Sequence, residues 1–189
     1  RDHVNLIQIH EAEQAGWEGI MDVGRTLETL IDIREQGIAD HIGLTGSDLG
    51  LMSKVLRETD EFVSVITFLK YDLLTQDARE ELIPAAVDDD VAVICASPLH
   101  GGLLGSKRDH WVEQGRFSDL YDKLGRGEGL LEGMDEPIER MGLRYLLSDP
   151  KVSMILSGVA NIEELEVSVS VSDGRALDEE LIREIEAIT

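Results

Sequence analysis

The sequence predicts an α/β fold of about five βα units, read as an incomplete (β/α)8 TIM barrel, its fourth to eighth units, in one domain covering residues 1–189. Three observations point there. Short β-rich runs alternate with amphipathic helical patterns, which implies parallel strands joined by right-handed crossovers. The chain has 189 residues, fewer than the roughly 200–250 of a whole (β/α)8 barrel. The first strand is followed by "HEAEQAGWEG" and not by the GxGxxG turn of a dinucleotide-binding open sheet. A complete doubly wound sheet is the competing architecture. It predicts a fully covered sheet with no open edge on the first strand.

Strands are expected at 4–9, 41–45, 62–68, 91–96 and 153–157. Each is a β-branched or apolar run bounded by turn residues. Helices are expected at 23–36, 48–58, 76–87, 136–148, 162–169 and 178–188. In the first of these, Leu27, Leu30, Ile31 and Arg34 recur at helical spacing, and Gly37 supplies the left-handed residue that ends it. The segment 101–135 is rich in glycine and charge and reads as a long irregular loop with one short helix around 117–124. A connection that long in a compact domain is more often functional than plain.

Composition bounds the function. The net charge of −22 argues against nucleic acid and anionic membrane surfaces as partners. Such acidity suits either a high-salt setting or an ordinary acidic enzyme. No apolar run is long enough to span a bilayer. The single cysteine, Cys95, lies in a strand-like run, so a reducing cytoplasmic setting is expected. No zinc spacing, P-loop or Ser/His/Asp set is present, and no metal site is expected. Arg1 is not a natural start, so the chain is expected to be a processed or truncated piece.

In a barrel, reactive groups gather at the C-terminal strand ends. Here those ends are His10-Glu11, Thr45-Gly46-Ser47, Tyr71-Asp72, Ser97-Pro98-Leu99-His100 and Ser157-Gly158. Strand parity puts Gln8 and His10 on one face and Ile7 and Ile9 on the other. Two polar side chains facing one way near a strand tip suit the top of a barrel lumen. Taken alone, a strand-end histidine such as His10 is more often structural than catalytic. His3 and His110 read as solvent-exposed, and the acidic runs 88–90 and 163–166 read as solvated faces.

In order along the chain, these segments resemble the aldo-keto reductase superfamily. "VNLIQIHE" resembles its fourth strand, which ends in the active-site histidine. "LETLIDIREQGIADHIGLTG" resembles the next helix and strand, and "FLKYDLL" resembles the sixth strand with its Tyr-Asn-Leu-Leu-like exit. "PAAVDDDVAVICASPLHGGLLGSK" is similar to "GV.VIA.SPLA.GLL.GK". "LRYLLSDPKVSMILSGVANIEELEVSV" resembles the last barrel helix, the last strand and the nucleotide-binding segment after it. "GLTG" and "ASPL..GLL" are similar to the aldose and galactose dehydrogenase branch.

The resemblance implies a (β/α)8 oxidoreductase that moves hydride between NAD or NADP and a small carbonyl or sugar. It uses an Asp, Tyr, Lys and His tetrad, of which His10 is the member in this sequence. Without the other three, the chain alone is expected to be inactive. Thr45 and Gly46 match the Ser-Asn pair that holds the nicotinamide carboxamide, with no side chain at Gly46. Phe68 stands where many members have Gln, and Ala96 where many have a stacking aromatic. Ser97 and Leu99 match the pyrophosphate lining, and Gly158 and Ala160 match the segment around the adenosine phosphates. Glu163 and Glu164 lie where NADP-preferring members carry a basic residue. Carboxylates there repel a 2′-phosphate and favour NAD. Open barrel edges imply self-association. The alternative is a non-catalytic, barrel-derived binding or regulatory module.

Overall fold

A computed structural model describes residues 2–130, 132 and 136–188. The end of the expected irregular loop, at Leu131, Gly133, Met134 and Asp135, lies outside the described residues, as do Arg1 and Thr189. Five strands alternate with helices: β1 Val4–Ile9, β2 Ala39–Gly46, β3 Phe62–Phe68, β4 Ala92–Ala96 and β5 Met154–Leu156. They form one sheet in the order β1-β2-β3-β4-β5. β1 with β2 and β2 with β3 are parallel. A strictly sequential parallel order is that of a barrel. A doubly wound sheet reverses its order at a switch point, and this one does not.

The chain forms two compact units, Arg1–Phe68 with Asp77–Ile94, and Leu69–Gln76 with Cys95–Thr189. In the first, α1 (Ala12–Met21) and α2 (Thr26–Glu35) follow β1, and α3 (Leu49–Glu58) follows β2. α2 ends in a Schellman motif. Gly37 takes φ 71, its N–H donates to Arg34 O, and Ile38 N–H reaches back to Ile33 O. α3 starts on Asp48, whose side chain accepts from Leu51 N at 2.9 Å. It buries Leu49, Met52, Val55 and Leu56, each worth roughly 1.5–3 kcal/mol of transfer free energy. The helix expected over 76–87 is broken into α4 (Asp77–Glu80) and α5 (Leu82–Asp88). Pro84 fits the first turn of α5, but its ring would clash with the carbonyl four residues earlier and cannot continue α4.

In the second unit, the segment expected to be irregular but for a short helix around 117–124 contains α6 (Arg108–Glu113) and α7 (Tyr121–Gly129), the latter overlapping that helix. Three glycines in α7 hide its periodicity. Packing overrides that weak propensity: Leu124 and Gly127 are buried, and a Cβ on Gly127 would lie 2.9 Å from Leu73 Cδ2. α8 (Ile138–Leu147) buries Ile138, Met141, Leu143, Tyr145 and Leu146. Leu99 and Leu104 pack against α8 at Gly142, 3.6 and 3.5 Å from where its Cβ would be. α9 (Ile162–Ser170) follows β5, and α10 (Glu179–Glu186) ends the described chain.

Candidate functional site

In the first unit the register places Gln8 beside Gly43 and Gly43 beside Ser64, with Thr45 beside Ile66. Two-residue periodicity then puts Gln8 and His10, Gly43 and Thr45, and Ser64, Ile66 and Phe68 on one face. The other face carries Ile9, Leu44 and Val65, all buried. Gly43 makes room for its neighbours. A Cβ there would lie 2.7 Å from Ser64 Oγ and 2.9 Å from Gln8 Nε2. Gln8 Nε2, Thr45 Oγ1 and Ser64 Oγ are buried with no hydrogen-bond partner among the described residues.

His10 follows β1 with its side chain 81% exposed, and Nδ1 lies 3.9 Å from Glu11 Oε2. Thr45 is buried within β2, Gly46 closes that strand, and Phe68 is half-buried at the end of β3. One neighbour escaped the sequence reading. The Glu13 carboxylate accepts the backbone N–H of Ser47 at 3.2 Å and its hydroxyl at 2.6 Å. It fills the space that a side chain on residue 46 would take, since a Cβ on Gly46 would lie 2.5 Å from Glu13 Oε2.

In the second unit, Ser97, Leu99, Gly158, Ala160 and Glu164 all line one cavity of about 460 Å³. The backbone there is unusual. Ser97 takes φ 58 directly after β4, and His100, Gly101 and Gly102 follow at φ 48, 63 and 91. Positive φ is uncommon for residues other than glycine. Glu164 is already employed at the start of α9, where Asn161 is the N-cap. Asn161 Oδ1 accepts Glu164 N at 2.8 Å, while Glu164 Oε2 accepts Ala160 N at 2.7 Å. Hydrogen bonds from Ser106 and from Ala160 hold its carboxyl below the usual range.

Lys107 and Ser106 line the same cavity and were not picked out from the sequence. Their signal was the "GGLLGSK" string itself, since glycines leading to a lysine suit an anionic group. Backbone without side-chain walls at Gly101, Gly102 and Gly158, serine hydroxyls, Lys107, and apolar Leu99 and Val167 suit a diphosphate joined to an adenosine, while the carboxyl-bearing Glu139, Glu163 and Glu164 line the same cavity.

The sequence model of the Aldo/keto reductase family matches residues 1–189. The chain belongs to the aldo/keto reductase family. An aldo-keto reductase from Bacillus halodurans in its holo form superposes with a TM-score of 0.78 at 22% identity, covering 100% of this chain and 62% of that one. An L-galactose dehydrogenase of Arabidopsis thaliana is 26% identical over 99% of this chain and 59% of its own length. A D-threo-aldose 1-dehydrogenase of a Pseudomonas species is 25% identical over 83% of this chain and 48% of its own. The aldo/keto reductase chain spans about three-fifths of the length of curated relatives it matches, 61% and 57% for two from Bacillus subtilis. Among its described residues no helix is long and apolar enough to cross a membrane.

Proposed function

We propose that this aldo/keto reductase chain carries the cofactor-holding part of an NAD(P)-linked oxidoreductase acting on an aldehyde or sugar. The observation that supports it best is the cavity of the second unit. Five residues assigned to the cofactor on sequence grounds alone, Ser97, Leu99, Gly158, Ala160 and Glu164, all line it, with Lys107 among them. Ser97, Leu99 and Lys107 would hold the diphosphate, and Gly158 and Ala160 the adenosine side. Thr45, Gly46 and Phe68 belong to the first unit and are assigned to the nicotinamide by the family resemblance alone. The bound nicotinamide supplies or takes up the hydride.

The chain's own contribution to chemistry is His10. An imidazole at a strand tip can donate a hydrogen bond to a substrate oxygen and orient the carbonyl. It has no partner here for the proton that the reaction exchanges, because the Asp, Tyr and Lys of the tetrad have no counterpart among these 189 residues. The chain by itself is therefore expected to bind cofactor and not turn it over. NAD is favoured over NADP. Glu163 and Glu164 stand in the first turn of α9, and two carboxylates disfavour a 2′-phosphate. The sugar substrate class is supported by the names of the two plant and Pseudomonas relatives. A cytoplasmic setting is part of the same reading.

Self-association is proposed as well. On the first unit Val4 and Leu6 of β1 are 41% and 38% exposed, and on the second Met154 of β5 is 51% exposed. Open, apolar edge strands recruit further strands.

Fluorescence titration of the chain with NADH and NADPH, followed by a turnover assay with aldoses, tests the reading. Binding of NADH tighter than NADPH, with no turnover, is expected. Turnover at the level of whole family members contradicts the catalytic part, and a strong NADPH preference contradicts the cofactor part.

A further inference from the structure

We propose that the His100–Asp72 pair is the positioning device for the glycine-rich loop of the cofactor cavity, a role that rests on the cofactor reading above. His100 lies between Leu99 and Gly101, both of which line the cavity. Its own side chain is buried. Nδ1–H donates to Asp72 Oδ2 at 2.7 Å, with the two side chains 6% and 0% exposed.

Asp72 is itself fixed. Its Oδ1 accepts Leu74 N at 2.8 Å, and its backbone exchanges hydrogen bonds with Thr75 at 2.8 and 3.3 Å. The imidazole stands edge-on to Phe117, 4.8 Å between centroids. Trp111 Nε1 donates to the next carbonyl, Gly101 O, at 2.9 Å.

His100 at φ 48 leads two further left-handed residues. A non-glycine residue stays there only when its surroundings over-determine it. The buried bond to Asp72 provides that determination. Breaking it would strand a buried carboxylate and free the loop to relax to ordinary φ. The loop presents Leu99, Gly101, Gly102 and Lys107 to the cavity, so relaxing it displaces the groups proposed to hold the diphosphate. Both partners differ from the family pattern that these segments resemble. Asp72 stands where the sixth-strand exit carries Asn, and His100 where "SPLA" carries Ala. Alanine cannot make this bond.

The test is ADP-ribose binding to the full chain by calorimetry, well below each variant's melting temperature. H100F keeps a ring and loses the donor, and is expected to bind about tenfold more weakly, as is D72L. The double variant is expected to lose no more than either single one, because the two residues act as one unit. H100N is expected to bind within about threefold of the parent, since asparagine offers an N–H near the Nδ1 position and tolerates positive φ. If H100F does not fold, H100A takes its place. Folded H100F or D72L binding as the parent does would overturn the proposal while leaving the cofactor reading intact. A tenfold loss in H100N would also overturn it. No ADP-ribose binding by the parent chain overturns both.

Discussion

Glu13 and Ser47 are joined by hydrogen bonds from both the backbone N–H and the hydroxyl of the serine, at the tip of β2 where Gly46 leaves room for the carboxylate. Burial is the largest single influence and works against the charged form of Glu13, but the Ser47 hydroxyl, the backbone N–H groups of Glu13 and Ser47 and the nearby His10 together hold the carboxyl below its usual range. A depressed carboxylate stabilises the fold above its unfolded pKa, and that contribution is lost as pH falls through the folded one. Ser47→Ala is therefore predicted to raise the Glu13 pKa toward the ordinary carboxylate value. The cost is about 1 kcal/mol near neutral pH, fading in acid. A carbon-detected NMR titration of Glu13 checks it, and an unmoved pKa contradicts it.

Cys95 is 1% exposed in β4. Burial, reinforced by the negative charges of Asp149 and Asp72, pushes its thiol up to about 12. The thiolate is the reactive form, so essentially none is present at neutral pH. Iodoacetamide is predicted to leave the native chain unmodified at pH 7.5 and to label it stoichiometrically in denaturant. Mass spectrometry reads both states, and rapid native labelling would contradict the burial described.

Asp173 binds Arg144 through both carboxylate oxygens, at 2.7 and 3.4 Å. Those contacts, with the Arg175 backbone N–H, bring its carboxyl down to about 2 from an ordinary 3.8. With the folded value below the unfolded one, the stabilisation is present above about pH 4 and is lost between about pH 4 and 2. Asp173→Asn is predicted to lower the melting temperature at pH 6 and to flatten its fall across that acid window. Melting curves at stepped pH decide this. Parallel curves for parent and variant contradict it.

Gly43 sits where a Cβ would meet Ser64 Oγ, Gln8 Nε2 and Gln8 Cγ at 2.7 to 3.0 Å. Gly43→Ala is predicted to destabilise the chain by about 1–3 kcal/mol through overpacking. Adding Ser64→Ala should recover part of that loss. Chemical denaturation measures both, and a neutral single variant contradicts the crowding.

The strands were legible because apolar runs bounded by turn residues need no tertiary information, and their ends match the expected ranges within two residues from β1 to β5. Two helices, α1 and α6, were not expected, and α7 overlaps the short helix expected around 117–124 but runs on through Gly125, Gly127 and Gly129, where the packing of Leu124 and Gly127 overrides weak local preference. The cavity residues were legible through motif order. Two features were not. His100 meets a partner 28 residues away, with no local pattern to announce it. The place of Glu13 depends on a side chain that Gly46 does not have.

The most direct measurement is residue-resolved chemical-shift mapping of the 189-residue chain titrated with ADP-ribose, repeated on Lys107→Ala. Saturable shifts are expected at Leu99, Gly101, Gly102, Gly158 and Ala160, with affinity reduced about tenfold by removal of the lysine charge. Absence of saturable binding, or shifts gathered instead around Arg140, Arg144 and Arg175, would contradict it.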